Sequence, residues 1–217
     1  MKSFDRVAPW YRWLEWLRFG GLLQKARLAQ LESWQGEMPK RVLVLGDGDG
    51  RFAAEASARW PNAALTLVDA SARMMALAEK RLASAGNVTF RVQPIQAYLD
   101  EAERTQRFDL IVSHFFLDCF EEATLRDLMP RLVSMLSDGG QWLVTDFQPH
   151  GTCCQRVNVW LMIRFFRLTT GMEASTLPGI SKCLEDMGLK ASRGMAWASG
   201  WIRSDLWQTD CDSSTLP

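Results

Sequence analysis

The chain reads as an α/β protein: a mostly parallel sheet with helices on both faces and an antiparallel hairpin at one edge. Three observations predict this. From Arg41 onward, short apolar runs alternate with helix-patterned segments, the mark of repeated βα units. The runs are apolar at nearly every position, as strands buried on both faces must be. The last two β-compatible runs are separated by too few residues for a crossover helix, so they must pair antiparallel.

The alternation runs in order. "RVLVLG" from Arg41 is the first strand and "FAAEASARW" from Phe52 the first helix after it. "ALTLVD", ending in Asp69, is the second strand, and "ARMMALAEKRL" the helix that returns from it. "VTFRV", "FDLIVS" and "GQWLVTDF" supply three further strands, the last preceded by the helical pattern "LRDLMPRLVSML". The final stretch, "LKASRGMAWASGWIRSDLWQTD", places two strand-like runs around Ala198, Ser199 and Gly200. Two segments stand outside the pattern: the aromatic N-terminal region, assigned to residues 1–35, and residues 150–178, after the strand ending at Phe147. At 217 residues the chain is long enough for one domain with a single large core, spanning residues 1–217.

In "VLVLGDGDGRF" the first strand runs into Gly46, Gly48 and Gly50. Glycines there permit positive φ and close backbone approach by a ligand, while the next helix presents its N-terminus at the strand's carboxyl end. The dinucleotide fingerprint G-x-G-x-x-G would need glycine at position 51, where the chain has Arg51. Asp47 and Asp49 in the turn disfavour a pyrophosphate and tolerate a cationic ligand. Asp69 ends the second strand, where its carboxylate suits the two ribose hydroxyls of an adenosine. Taken alone, the glycines are equally an ordinary tight strand-to-helix turn.

With "LVDASARMM", "FDLIVSHFFLDCF" and "LSDGGQWLVTDF" following in this order and spacing, the chain resembles the class I S-adenosylmethionine-dependent methyltransferases from about Arg41 to Asp146, and in its terminal hairpin. The resemblance implies a Rossmann-like sheet of about seven strands with only the last antiparallel. It also implies S-adenosyl-L-methionine as cofactor. Carried over by position, Gly46, Asp47, Gly48 and Gly50 would line its methionine part. Asp69 would hold the ribose, with Ala70, Ser71 and Met74 beside the adenine. Ser113 and His114 would face the methyl-donor centre. Val44 stands where the family often has an acid, and Gln96 is the acceptor available near the adenine amino group.

His114 is the candidate catalytic residue, as a general base or by orienting an acceptor. A hydrogen bond to nearby backbone is the alternative. Asp118 either binds a cationic acceptor or contacts the N-terminal helix.

"VAPWYRWLEWLRFGG" repeats tryptophan at Trp10, Trp13 and Trp16, giving a broad apolar sector on a helix. Either this helix packs on the sheet's flanking helices or it covers the site as a lid. "FDRVAPWYRWLEWLRFG" is similar to the N-terminal segment of the ubiquinone and menaquinone C-methyltransferase family, with Tyr11 matching that frame and Arg12 standing where an Asp is usual. The resemblance implies a lid, with Tyr11 against the cofactor and an acceptor held by Trp10, Tyr11, Phe115, Asp118 and Phe147.

Composition narrows the partner. Lys plus Arg and Asp plus Glu both total 25, so no global field draws the chain to nucleic acid. Local basic residues among the aromatics (Arg156, Arg164 and Arg167 in the second outlying segment) suit an apolar or anionic acceptor, including one met at a membrane surface. Cys119, Cys153, Cys154, Cys183 and Cys211 lack CxxC spacing, and His114 and His150 form no cluster to complete a metal site. No apolar run approaches the roughly 20 residues that span a bilayer, and the N-terminus lacks a signal-peptide core. The expectation is a cytoplasmic enzyme methylating a small hydrophobic or aromatic molecule, with the oligomeric state open. Two rivals are an aminopropyltransferase on the same fold and a protein that binds the cofactor without transferring its methyl group.

Overall fold

Four successive apolar positions after Arg41 in "RVLVL" can be buried only inside a sheet covered on both sides, and β1 (Arg41–Leu45) lies near its middle. A computed structural model describes residues 21–148 and 176–209. In chain order the remaining strands are β2 (Ala64–Asp69), β3 (Val88–Val92), β4 (Phe108–His114), β5 (Leu136–Phe147), β6 (Leu189–Trp197) and β7 (Ile202–Thr209). They form one seven-stranded sheet in the order β3-β2-β1-β4-β5-β7-β6. β1 to β5 are mutually parallel, whereas β7 runs antiparallel to both β5 and β6. The sequence-predicted hairpin is therefore present, and it inserts its second strand between β5 and its first. Its turn holds Ala198, Ser199 and Gly200 all at positive φ, 50°, 58° and 86°.

Alternation along β1 sends side chains to two cores. Leu43 and Leu45 join Ile111, Trp142 and Val144 on one face. There they pack under α4 (Ile95–Ala102), α5 (Glu122–Ser134) and α6 (Ile180–Asp186). Val42 and Val44 join Leu65, Leu67, Leu110 and Val112 on the other face, under α2 (Arg51–Arg59) and α3 (Ala72–Arg81). Val44, at the position where the family often has an acid, is thus a core residue. α4 is absent from the alternation read in the sequence: Pro94 stands at its start as the N-cap, and Ile95, Tyr98, Leu99 and Ala102 bury a helical face.

α1 (Leu22–Glu32) falls inside the segment assigned to a lid, but it belongs to the body. Leu23, Ala26, Arg27, Gln30 and Leu31 are buried, the i, i+3, i+4, i+7, i+8 stripe of a packed helix. The Gln30 amide donates to the Ser204 carbonyl of β7 at 2.9 Å, pinning α1 to the sheet. Residues 1–20 and 149–175, which carry the rest of the expected lid and nearly all of the expected cap, lie outside the described residues. Among the described residues no helix is long and apolar enough to cross a membrane.

Candidate functional site

The parallel strands β1, β2 and β4 end on the same side of the sheet, and the chain leaves each of them around one cavity of about 240 Å³. After β1, Gly46, Gly48 and Gly50 adopt φ of 63°, 63° and 76°, a run that only glycine supports without strain. The turn is tight for a second reason: a Cβ on Gly46 would run into the Phe116 ring, and one on Gly50 would lie 2.8 Å from the Ala78 Cβ. Over Gly48 the space is open, with only the Met74 sulfur within reach at 3.9 Å.

Asp69 closes this turn from β2. One carboxylate oxygen accepts from the Gly48 N–H at 3.2 Å and the other from the Ser71 N–H at 2.8 Å, while the residue also lines the cavity. Gly46, Gly48, Ala70, Met74 and Gln96 line the cavity too, as the sequence reading expects. Asp47 lines it, but its carboxylate is turned to the start of α2, accepting from Phe52 N at 3.2 Å and Ala53 N at 2.9 Å. Burial pushes Asp47 up to about 7 against the opposing pull of these bonds and of Arg27. Asp49 pairs with Arg51 at 3.2 Å and Arg81 at 2.7 Å. The expected pair of turn carboxylates facing a cationic ligand is therefore corrected: one caps a helix and the other is neutralised.

Four more expected site residues stand behind the cavity wall. Gly50 is the N-cap of α2, packed on Ala78. Ser71 is buried and caps α3, its hydroxyl accepting from Met74 N at 3.2 Å. Ser113 points to the opposite side of β4 from His114, where its hydroxyl accepts from the Trp142 indole at 3.0 Å; strand alternation makes it core. Phe147 packs between Phe115 and Trp201, each with ring centroids 5.1 Å away, and reaches the cavity only through Phe115. Trp10 and Tyr11 lie outside the described residues.

The β4 end forms the other half of the cavity. His114 is 4% exposed, meets the Phe52 ring edge-on at 4.7 Å, and neither ring nitrogen has a hydrogen-bond partner. The backbone hydrogen bond held open in the sequence reading is not made. Burial first, and the Arg27 charge second, push its pKa down to about 3, so the ring is a neutral imidazole with one donor and one acceptor nitrogen. Phe115 follows at φ 52°, a left-handed conformation that costs a bulky residue strain and turns its ring toward the cavity. Phe116 and Phe120, edge to face at 5.2 Å, complete an apolar wall with Cys119 and Ile95.

Asp118 is not among the residues that line the cavity. The 3₁₀ turn Leu117–Cys119 carries it inward, 7% exposed, against Asp146 of β5, which is 1% exposed. The two carboxyls share a proton, and the backbone N–H groups of Leu117 and Asp118 act on Asp146 against the effect of its burial. Burial raises Asp118 to about 6, and burial with the Asp118 charge raises Asp146 well above the usual carboxylate range. Because the folded pKa values lie above the unfolded value of 3.8, the folded state binds more protons across this window. The pair's contribution is complete below about pH 4 and is lost as pH rises through about 6 and beyond. Asp146→Asn replaces the shared proton with a permanent N–H donor. The variant should melt above wild type at pH 8, by an amount on the order of 1–3 kcal/mol, and show a flatter dependence of Tm on pH from 5 to 8. A wild-type advantage at pH 8 would mean that the two acids are not sharing a proton.

Sequence reasoning missed Arg27 and Asp146, and each carried a signal. Arg27 sits at i+4 from Leu23 and i−4 from Leu31, an arginine on the apolar stripe of its helix. Asp146 shares the inward phase of β5 with Trp142 and Val144, an acid in a core register.

Comparison with known proteins agrees with this architecture. Residues 42–140 match the family model described as a methyltransferase domain. The malonyl-[acyl-carrier protein] O-methyltransferase of Halalkalibacterium halodurans is 29% identical over 111 residues, 51% of this chain and 40% of that protein. Its counterpart from a Paenibacillus species is 30% identical over 113 residues, again 51% and 40%. The match thus spans well under half the length of these curated relatives. Among solved structures, the mitomycin 7-O-methyltransferase MmcR superposes with a TM-score of 0.68 at 16% identity, over 95% of this chain and 60% of that one. The N-methyltransferase NodS from Bradyrhizobium japonicum, in complex with S-adenosyl-L-homocysteine, gives 0.58 at 16% identity, over 87% and 84%. At these identities the structural matches establish the fold. The family match adds a likeness to a methyltransferase domain over residues 42–140, a little under half of the chain.

Proposed function

We propose that the whole protein transfers a methyl group from S-adenosyl-L-methionine to a small hydrophobic or aromatic acceptor. The observation that carries this reading is the division of the cavity. On the β1 and β2 side are an open glycine turn and a carboxylate suited to ribose hydroxyls; on the β4 side are a neutral histidine and three phenylalanines. The residues fit the cofactor, since the backbone over Gly48 is bare on the cavity side and Asp69 stands beside it.

The cofactor supplies a methyl group already activated on a sulfonium, so the chain's task is alignment and exclusion of water. Phe115, Phe116 and Phe120 supply an apolar surface for a flat acceptor. His114, neutral and without a protein partner for either nitrogen, suits a hydrogen bond that orients the acceptor atom. With a pKa near 3 it is a weak base. Roles proposed for Gly46, Gly48, Asp69, Ala70, Met74 and Gln96 follow the cofactor side of the cavity; Phe115 and His114 follow the acceptor side.

The test is calorimetry with S-adenosyl-L-methionine and S-adenosyl-L-homocysteine, followed by transfer of labelled methyl to a panel of acceptors. The panel pairs aromatic hydroxyl compounds with a malonyl thioester on a carrier protein, the substrate in the names of the curated relatives. Transfer to the aromatic members supports the reading. Transfer to the thioester alone replaces the acceptor class, and binding without any transfer supports the non-catalytic rival. Failure to bind either cofactor form overturns the proposal.

A further inference from the structure

Phe115, Phe116, Cys119 and Phe120 line one wall of the cavity, whereas Leu117 and Asp118 between them turn into the core. The shape of the wall therefore depends on what holds the 3₁₀ turn Leu117–Cys119 inward. Two backbone bonds close the turn, from Cys119 N–H to the Phe116 carbonyl and from Phe120 N–H to the Leu117 carbonyl, each at 3.2 Å. A turn this short leaves its first N–H groups without partners inside it. Those of Leu117 and Asp118 act on Asp146, near the end of β5, and the Asp118 carboxyl hydrogen-bonds the same acid. One buried side chain of the sheet thus anchors the turn by both its backbone and its side chain.

That anchor depends on a proton, because two buried carboxyls at hydrogen-bond distance cannot both stay ionised. On the turn itself, the Cys119 Sγ lies 3.6 Å from Asp118 Oδ1, and Asp69 of β2 adds a negative charge acting on that thiol. Arg203 of β7, the register partner of Asp146, is held by Asp205 at 2.8 Å. On the same core face, Tyr98 of α4 donates to Gln106 at 2.9 Å, α5 presents leucines and Met129, and α6 presents the Cys183 thiol. Arg27 of α1 reaches the wall over the Phe115 ring. A proton shared by the two acids is what this setting leaves to offset their repulsion.

We infer that Asp118 and Asp146 are positioning residues for the acceptor wall, and that the proton they share makes the shape of this wall depend on pH. Neither acid lines the cavity, so both act through the turn. Burial holds Asp118 at about 6 and Asp146 well above the usual carboxylate range, whereas release of the turn returns both to ordinary carboxyls. The seated turn is favoured at low pH, and each unit of rise above about 5 favours its release by up to about tenfold for each proton retained. That the wall faces an acceptor rests on the function proposed above; the pH dependence of its shape does not.

The experiment is amide hydrogen exchange on the full chain from pH 5 to 8, for wild type, Asp146→Asn and Asp118→Asn. Each variant replaces the shared proton with a permanent N–H donor. Protection factors remove the intrinsic pH dependence of exchange, and β1 reports global opening. Wild-type protection of residues 116–120 should fall about tenfold or more relative to β1 over this range, and change less than about twofold in either variant. Calorimetry with S-adenosyl-L-homocysteine should give the same affinity for all three proteins at each pH. Asp47, raised to about 7, is common to them, so its titration cancels in the comparison.

Wild-type protection that ignores pH would overturn the inference, even if neither variant folds. An equal fall in β1 would also overturn it, by making the pair a brace of the whole fold. So would a variant that keeps the wild-type slope, since the responsible group would lie elsewhere. Wild type that binds no S-adenosyl-L-homocysteine would sink the donor reading, while the exchange result still decides the role of the two acids.

Discussion

Asp69→Ala is expected to weaken S-adenosyl-L-homocysteine binding about a hundredfold, close to 2.8 kcal/mol at roughly 1.4 kcal/mol per decade. Two losses combine. The variant removes a charged acceptor placed for two ribose hydroxyls, a bond class worth about 1.5–3 kcal/mol. It also removes the brace that holds the Gly48 and Ser71 N–H groups at 3.2 and 2.8 Å, so the turn loses its fixed shape. Asp69→Asn separates the two: its amide oxygen can still take one backbone N–H but has no charge for the ribose, so its affinity should lie between wild type and alanine. Calorimetry on variants of unchanged circular dichroism makes the measurement. An alanine variant with wild-type affinity would remove Asp69 from the cofactor site.

Gly48→Val and Gly50→Val are expected to fail in different ways, although both residues sit at positive φ in one turn. A side chain on Gly48 meets only the Met74 sulfur at 3.9 Å, so the fold has room for it. The left-handed backbone costs about 1–2 kcal/mol, and the branched side chain occupies the cavity face that a ligand must approach. Binding of S-adenosyl-L-homocysteine should become undetectable while Tm falls by only a few degrees. A Cβ on Gly50 lies 2.8 Å from the Ala78 Cβ and 3.0 Å from the Ala78 Cα, between α2 and α3. Strain and overpacking together cost roughly 2–5 kcal/mol, so Tm should fall on the order of 10 °C in a domain of this size. Thermal melts and calorimetry on both variants check the contrast. Retained binding in folded Gly48→Val would make the turn purely structural.

Local chemistry in the sequence was enough to determine the strands, their parallel pairing and the glycine turn, whereas the order of strands in the sheet came from the tertiary structure. An apolar run such as "VLVL" after Arg41 fits a doubly covered strand, and the positive-φ glycines with Asp69 are defined by short-range geometry. The hairpin was legible too, because Ala198, Ser199 and Gly200 leave no length for a crossover. What the sequence could not determine is which way a polar side chain turns once its neighbours arrive. Asp47 faces a helix N-terminus and Asp118 faces Asp146, residues distant in the chain or hidden by a local bend. Ser113 and His114 are adjacent yet lie on opposite faces of β4, one bonded to Trp142 and the other edge-on to Phe52. Arg27 belongs to the cavity because α1 is pinned to β7, some 170 residues on, through Gln30 and Ser204. Proximity of that kind is created by packing alone, since burial and long-range hydrogen bonding select among orientations that local sequence leaves equal in energy.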